Sequence, residues 1–378
     1  MQKILYLYLN TGGGHISGAK ALSHAMDEAH PGECENFMLD ALDPKSKFIR
    51  NVVEEGYKVS VQDHPWLWPI TFESSKFSLV QQIELMVLRP WIKPHLKKYI
   101  QEQGITKIVI LHFLLIQLVH EILIEEGWSI PMVTVVMDPF TVHPFWFIRK
   151  DRPLVVFSHQ AKGDALKHRV DPQMIKVIPL MLRRHFERPM PADLIALEKT
   201  KFGFTTGKKL LLLAGGGDGI PGAQNILKQA LLQRLDVEIA VVCGKNAKLQ
   251  AQCESMVAKY GSGRPMVRIY GFVDFMYELM NMADLVISKG GPATVMEILM
   301  LHKPLIVVNY IYGQEKGNVN FVIKNDVGHY ISNPRKLVIK SAEILANPKL
   351  SQEMADKVAK LALRNGTDEL REYVYNFS

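Results

Sequence analysis

Cysteine is scarce in this sequence, which has three, and they form no CxxC pair. An odd set, Cys34, Cys243 and Cys253, supports neither a disulfide framework nor a zinc site. A reducing cytosol is the compartment that fits best. The apolar run within the first nine residues is too short for the core of a signal peptide, so it is predicted to form a strand.

Long uninterrupted apolar runs are also missing. The longest apolar stretch, residues 108–124, is broken by His112, Gln117 and His120, and it falls short of the roughly 20 apolar residues that a membrane-spanning helix needs. It predicts a buried strand followed by a packed helix. Any attachment to a membrane is therefore expected to be peripheral and cytoplasmic.

The chain has no run of five or six basic residues and no helix-turn-helix or RNA-binding signature, so nucleic acid is not an expected partner. What is present is a mild excess of positive charge, with 45 Lys and Arg against 38 Asp and Glu and a net charge of +7. This balance favours an anionic partner, for which acidic phospholipid and a sugar nucleotide both qualify. An ordinary basic surface would give the same count.

Length and periodicity predict an α/β chain with two doubly wound, Rossmann-like domains. The 378 residues suit two domains, and apolar strands alternate with helical patterns in two series. Such alternation is typical of parallel sheets covered by helices on both faces. Residues 179–206, rich in Pro, Arg and Lys, resemble a linker. We therefore predict domains at 1–180 and 181–378.

The predicted strands fall into two groups. The first group comprises residues 4–9, a strand ending at Asp40, 107–111, 132–136, 154–158 and 175–178. The second group comprises residues 210–213, 238–242, 267–270, 285–288, 305–308 and 329–331. Residues 45–103 break the alternation and predict a helical, aromatic-rich insertion in the first domain.

A glycine turn that ends in a histidine follows the first strand. Residues 12–15 read Gly-Gly-Gly-His and open a helix, whose N–H groups attract anions or hydroxyl oxygens. His15 is a natural general base there, because ligands of doubly wound sheets bind beyond the carboxyl ends of strands. A tight structural turn is the alternative. A dinucleotide site with Asp40 on the ribose is disfavoured, because the spacing is GxGxxxG.

Three loops of the second domain carry glycine and polar residues suited to a nucleotide. Loop 215–219 could cradle a diphosphate, and loop 289–294 leads through two glycines into a helix that starts at Pro292. Glu297, about one turn into that helix, could accept hydrogen bonds from ribose hydroxyls. Residues 310–318 add Gln, Glu and Asn side chains that suit sugar hydroxyls. Each loop alone would also fit an ordinary turn or polar surface.

Taken in order, the motifs resemble the monogalactosyldiacylglycerol synthase and processive diacylglycerol glucosyltransferase-like family. These are inverting GT-B glycosyltransferases, related to the transferase that adds N-acetylglucosamine to the lipid-linked peptidoglycan precursor. The segments that carry the likeness are 12–15, 133–138, 143–146, 215–219, 243–246, 270–272, 288–297 and 313–318. The resemblance implies two Rossmann-like domains with a cleft between them, and a last helix that packs back on the first domain.

Carried over position by position, the resemblance implies a UDP-sugar site in the second domain. The residues implied near uridine and diphosphate are Gly216, Gly217, Gly271, Phe272, Val273, Gly290, Gly291 and Thr294, with Glu297 on the ribose. The residues implied to bind the donor, its sugar above all, are Gln314, Glu315 and Asn318. Neither a metal nor a further cofactor is implied.

In the first domain the resemblance implies the acceptor side of the reaction. His15 matches the proposed base of the family, and Asp138 is the alternative. The residues implied to meet the lipid acceptor or the membrane are Gly13, Gly14, His143, Trp146, Trp66 and Trp68. Two positions depart from the family pattern: Met137 replaces a usual Thr, and Asn10 replaces a frequent acid. Since an acid near His15 would raise its basicity, Asp138 could supply that support instead.

The insertion corresponds to the region that approaches the bilayer in such enzymes. Residues 45–100 hold nine Lys and Arg against five Asp and Glu, a net charge of +4. Basic charge beside exposed Trp and Phe suits an anionic membrane surface. The alternative is a helical subdomain that buries its own aromatic side chains.

The implied reaction is transfer of a hexose from a UDP-sugar to diacylglycerol, with inversion, to form a glycosyldiacylglycerol. Three alternatives stay open: a UDP-N-acetylglucosamine-dependent transferase with another lipid acceptor, a UDP-sugar epimerase of the same architecture, and a catalytically idle nucleotide-binding protein at membranes. The sequence favours no one donor among galactose, glucose and N-acetylglucosamine, and it leaves the lipid, the number of sugars added and the oligomeric state open.

Overall fold

The computed structural model describes residues 1–10, 13–43, 46–56, 59–60, 64, 66–261 and 266–378. Within these, the chain forms two compact units. The first unit comprises Met1–Leu182, Ile311–Gln314 and Asn365–Ser378, and the second comprises Arg183–Tyr310 and Glu315–Arg364. The first crossing from one unit to the other thus lies two residues after the predicted limit at 180.

Each unit contains one parallel sheet. The strands of the first are β1 Gln2–Tyr8, β2 Cys34–Asp40, β3 Lys107–Ile110, β4 Met132–Val135, β5 Leu154–Val156 and β6 Ile175–Val177. The strands of the second are β7 Leu210–Ala214, β8 Glu238–Val242, β9 Val267–Tyr270, β10 Leu285–Ser288, β11 Leu305–Val307 and β12 His329–Tyr330. Both predicted series of strands are confirmed, with differences of no more than two residues at their ends.

Helices alternate with these strands, as the periodicity predicts. Their bounds are α1 Gly13–Ala29, α2 Lys47–Arg50, α3 Leu67–Ser74, α4 Ser78–Gln103, α5 Phe113–Glu125, α6 His159–Lys167, α7 Ala192–Lys201, α8 Ala223–Leu232, α9 Ala247–Tyr260, α10 Met276–Met282, α11 Pro292–Met300, α12 Lys316–Lys324, α13 Pro334–Ala346, α14 Pro348–Lys360 and α15 Thr367–Asn376. A π-helical turn covers Asn51–Glu55, and a 3-10 turn covers Pro144–Phe147. Among the helices at described positions, none is both long and apolar enough to cross a bilayer.

The strand order places one switch point in each sheet. The orders are β2-β1-β3-β4-β5-β6 and β12-β11-β10-β7-β8-β9. The chain leaves β1 toward one edge and returns on its other side as β3, and the same reversal separates β7 from β10. At such points the loops beyond the carboxyl ends of the strands diverge and leave room for a ligand. The loops after β1, β3, β7 and β10 are therefore the candidate binding loops.

The insertion lies in the first unit and is helical where it is described, through α2, the π-helical turn, α3 and α4. Its predicted first position, Lys45, lies outside the described residues. One face of α4 is buried and joins the core of the unit. Its residues recur at helical spacing: Leu85, Leu88, Ile92, Leu96 and Ile100. The C-terminal helix α15 also belongs to the first unit.

Candidate functional site

His15 lies at the switch point of the first sheet, on the first turn of α1. Its side chain is 7% exposed, and its Nδ1 lies 2.6 Å from the carbonyl oxygen of Leu111, the residue that follows β3. Because a carbonyl oxygen only accepts, Nδ1 carries the proton and donates it. In the neutral ring the lone pair is then on Nε2, which is the atom free to accept a proton. Thr11 and Gly12, which precede α1, lie outside the described residues.

Burial sets the charge state of His15. Desolvation lowers its pKa to about 4, and the hydrogen bond to Leu111 opposes this only in part. His112 lies beside it, with ring centroids 4.8 Å apart, and burial holds the pKa of His112 well below its usual range too. Both rings are therefore neutral at pH 7, so His15 has the protonation state that a general base requires.

Trp146 lies near His15 and hydrogen bonds to Asp138. Trp146 Nε1 donates to Asp138 Oδ2 at 2.8 Å, and both residues are buried. The rings of Trp146 and His15 are 6.4 Å apart. At Nδ1 of His15 the hydrogen-bond acceptor is the Leu111 carbonyl, which raises the pKa of His15 in the way that the sequence suggested Asp138 could.

Two other residues predicted on the acceptor side bind protein groups. His143 is buried, with Nε2 3.1 Å from Ser75 Oγ, and its Nδ1 accepts a hydrogen bond from Phe145 N–H at 3.2 Å. Trp68 donates its indole N–H to the carbonyl oxygen of Tyr312 at 2.9 Å. Trp66, by contrast, is 65% exposed. Only Trp66 of these three presents a large free surface.

Met137, one of the two departures from the family pattern, packs against helix α1. A Cβ placed on Gly18 would lie 2.5 Å from the terminal methyl of Met137. Met137 therefore packs against α1 where that helix has no side chain. A larger residue at position 18 would push Met137 away from the helix that carries His15.

The second sheet presents three glycine loops in one hydrogen-bonded layer. Lys245 N–H donates to Gly217 O at 2.8 Å, and Gly244 N–H donates to Gly271 O at 3.2 Å. A Cβ on Gly244, whose φ is +61°, would lie 2.1 Å from Gly217 O, so only glycine fits this position. The loops after β7, β8 and β9 are thus held together, while Gly217 and the ring of Phe272 face solvent.

Positive charge and helix N–H groups meet at the switch point of this sheet. A Cβ on Gly216 would lie 3.4 Å from Cε of Lys289, the first residue after β10. Three residues later, after Gly290 and Gly291, α11 begins with Pro292. A lysine beside a glycine loop and a helix N-terminus is a typical arrangement for binding a phosphate.

Polar side chains with unused hydrogen-bonding capacity lie beside the glycine loop that follows β10. Asn318 Nδ2 donates to Gly290 O at 2.7 Å. Its Oδ1 and the Oγ of Ser288 are buried, and neither has a hydrogen-bond partner among the described residues. Asn318, predicted as a donor-binding residue, thus fixes the glycine loop directly. Glu315 is also buried, with its Oε1 3.6 Å from a Cβ position on Gly291.

Glu297 is a buried carboxylate with a cationic partner that sequence reasoning missed. Its side chain is 7% exposed, and Arg183 donates to Oε1 through Nε at 3.2 Å and Nη2 at 3.1 Å. Oε2 takes part in neither bond. Burial raises the pKa of Glu297, while the Arg183 guanidinium opposes that rise. Arg183 is itself held over the ring of Phe186, 4.7 Å from its centroid.

The remaining predicted donor residues occupy the same loops. Thr294 is half-buried on the first turn of α11, and Gly271 and Val273 are half-buried after β9. Gln314 is half-buried and belongs to the first unit. In the part of the chain that the structure describes, no three His, Cys, Asp or Glu side chains are grouped as ligands of a metal ion.

Comparison with known proteins finds one matching family model for each half of the chain. The family model "Monogalactosyldiacylglycerol (MGDG) synthase" matches residues 15–180. The model "Glycosyltransferase family 28 C-terminal domain" matches residues 212–370. A "Probable monogalactosyldiacylglycerol synthase, chloroplastic" of Nicotiana tabacum is 30% identical over 89% of this chain and 63% of its own length. The chain spans less than two thirds of the length of the first curated relatives that it matches.

Solved structures show the same fold at low sequence identity. MurG of Acinetobacter baumannii aligns over 99% of both chains with a TM-score of 0.64 and 14% identity. Alr3699/HepE of Anabaena, solved in complex with UDP, aligns over 99% of this chain and 98% of its own with a TM-score of 0.59 and 13% identity. With two parallel six-stranded sheets and these structural matches, the chain has the GT-B glycosyltransferase fold, with a match to the monogalactosyldiacylglycerol synthase model over residues 15–180 and to the glycosyltransferase family 28 C-terminal model over residues 212–370.

Proposed function

We propose that this protein transfers a hexose, galactose or glucose, from a UDP-sugar to the free hydroxyl of diacylglycerol, with inversion at the anomeric carbon. The observation that carries the proposal is that the second unit holds both Lys289 beside two glycine loops and, on the helix that follows, the buried carboxylate of Glu297. A nucleoside diphosphate needs both features, namely cationic and N–H groups for phosphate and an acceptor for ribose hydroxyls.

The phosphate groups of the donor would lie at the N-terminus of α11, beside Gly290, Gly291 and Thr294. Lys289 and the N–H groups there would stabilise the charge that develops on the departing UDP. The ribose would bind Glu297, and the uridine would lie against the layer that contains Gly217, Gly271 and Phe272. The proposal includes no resident metal and no cofactor beyond the UDP-sugar.

In the first unit, Nε2 of His15 would accept the proton of the attacking hydroxyl. The hydroxyl oxygen forms a bond to the anomeric carbon as the bond from that carbon to the β-phosphate oxygen breaks. UDP leaves with the electron pair of the broken bond, and the proton stays on the imidazole. A single displacement of this kind inverts the configuration.

The insertion would meet the cytoplasmic face of an anionic membrane from which the lipid comes. Ten of the 22 large apolar residues that the structure shows exposed lie between positions 52 and 91. On α4, exposed apolar residues recur at helical spacing opposite the buried face: Leu79, Ile83, Met86, Val87 and Trp91. The sequence of the insertion, with a net charge of +4 over residues 45–100, would also favour an anionic bilayer.

We expect the triple variant Leu79→Gln, Ile83→Gln, Met86→Gln to bind anionic vesicles about a hundredfold more weakly than the wild-type protein. Each half-exposed side chain should contribute about 1 kcal/mol on entering the bilayer interface. Sedimentation with phosphatidylglycerol vesicles measures the effect. Leu194→Gln with Leu197→Gln, both exposed on α7 of the second unit, is the matched control. Equal losses in the two variants would argue against a membrane role for α4.

The function itself is tested by incubating the protein with diacylglycerol vesicles and each of UDP-galactose, UDP-glucose and UDP-N-acetylglucosamine. Mass spectrometry of the lipid fraction identifies the product. We expect a hexosyldiacylglycerol with UDP-galactose or UDP-glucose. Sugar conversion without lipid would identify an epimerase instead, and UDP binding with no product from any donor would contradict catalysis.

A further inference from the structure

The short segment Ile311–Gln314 lies in the first unit, against helix α3 of the insertion. Trp68 donates its indole N–H to Tyr312 O at 2.9 Å, and the backbone N–H of Gln314 donates to the same oxygen at 2.8 Å. The hydroxyl of Tyr312 donates to Glu73 Oε1 at 3.4 Å. A single carbonyl oxygen therefore links Trp68 to the backbone of Gln314.

Phe72 fixes the path of the same segment by shape. It is 6% exposed, and its ring is perpendicular to that of Tyr312, with centroids 6.3 Å apart. Gly313 has a φ of +71°, and a Cβ there would lie 2.2–2.6 Å from three atoms of the Phe72 ring. Both the backbone conformation and the close ring demand glycine at this position.

The ring of Phe72 is in turn restrained by His143. The ring of His143 meets it edge-on, with centroids 4.9 Å apart, and His143 Nε2 lies 3.1 Å from Ser75 Oγ at the end of α3. Burial lowers the pKa of His143 to about 4, so the ring packs there as a neutral group. The Phe72 ring thus has little freedom to move away from Gly313.

We propose that Trp68 and Phe72 are positioning residues for Gln314, and that they thereby set the affinity for the sugar part of the donor. This inference rests on the proposed function, together with the sequence prediction that Gln314 binds the sugar of the donor. Trp68 acts through the Tyr312 carbonyl, and Phe72 acts through its contact with Gly313. The UDP part of the donor binds groups of the second unit and does not depend on either aromatic residue.

The test compares the affinities for UDP and for the UDP-hexose that the enzyme uses, by calorimetry without lipid. We expect Trp68→Phe, which removes the indole N–H donor and keeps a smaller aromatic ring beside Phe72, to weaken UDP-hexose binding about fivefold while UDP binding stays unchanged. Thr71→Ala, at an exposed position of the same helix, should change neither affinity. An unchanged ratio of the two affinities in Trp68→Phe, or an equal loss of both, would overturn the positioning role.

A second set of variants tests the contact between Phe72 and Gly313 without relying on one substitution. Gly313→Ala should weaken UDP-hexose binding, because its Cβ collides with the Phe72 ring, and adding Phe72→Ala should restore part of that loss. Strictly additive effects would contradict the contact. If the wild-type protein bound UDP but no UDP-hexose productively, the proposed function would fail, whereas an unaltered ratio in active variants would reject only the positioning role.

Discussion

His15→Ala should lower turnover by about 10²- to 10⁴-fold, the usual contribution of a general base, while the affinity for UDP stays unchanged. The variant loses the Nε2 lone pair that accepts the proton of the acceptor hydroxyl. In His15 this lone pair is available because the hydrogen bond from Nδ1 to Leu111 fixes the tautomer. UDP is expected to bind the second unit, to which His15 does not belong. Steady-state kinetics with the best donor and calorimetry with UDP measure the two quantities.

His24→Ala is the matched control, since His24 lies on the same helix with a largely exposed side chain. It should retain wild-type turnover. Asp138→Asn distinguishes the alternative base: if it abolished turnover while His15→Ala kept full activity, the proton acceptor would be Asp138. We expect Asp138→Asn to have a smaller effect, transmitted through the hydrogen bond from Trp146.

The same assignment predicts the pH dependence of kcat/KM. His15 must be unprotonated to act, and burial lowers its pKa to about 4, so kcat/KM should stay flat between pH 7.5 and pH 6. Activity falls only when the pH approaches the lowered pKa, where the imidazole takes up a proton. A histidine with an ordinary pKa near 6.5 would lose about fourfold over that interval. A fourfold loss would therefore contradict the buried, neutral base.

The two sheets were predictable because strand and helix signals are local. The apolar segments predict the strands, and the glycine turns that follow several of them predict where those strands end. Parallel topology then brings the loops to one edge of each sheet. The partners of the site residues were not predictable. Arg183 pairs with Glu297 from 114 residues away, in a segment whose composition only suggests a linker.

Contacts made by backbone groups were equally unpredictable from the sequence. Every residue has a carbonyl, so no side-chain pattern marks Leu111 as the acceptor that orients His15. Trp66 and Trp68 of the insertion were both expected to meet the lipid acceptor or the membrane. The structure separates them, because Trp66 is exposed while Trp68 is hydrogen bonded to Tyr312. Only folding decides which side of a short helix each aromatic residue faces.

Glu297→Gln should weaken UDP binding about a hundredfold. Hydrogen bonds to a charged group contribute about 1.5–3 kcal/mol each, and the carboxylate is expected to accept from ribose hydroxyls. The substitution keeps the volume of the side chain, so it opens no cavity beside α11. It leaves Arg183 without its counter-charge, but the Arg183 side chain is 45% exposed and remains solvated. Isothermal titration with UDP gives the affinity, and Glu343→Gln, exposed on α13, is the control.

The ribose contact can be separated from a general electrostatic effect by titrating 2′-deoxy-UDP. Wild-type protein should bind the deoxy nucleotide about tenfold more weakly than UDP, because one acceptor of the buried carboxylate loses its donor. In Glu297→Gln that difference should shrink, since the charged acceptor is already gone. If the variant still discriminated fully between the two nucleotides, Glu297 would not contact the ribose, and its pairing with Arg183 would be its whole role.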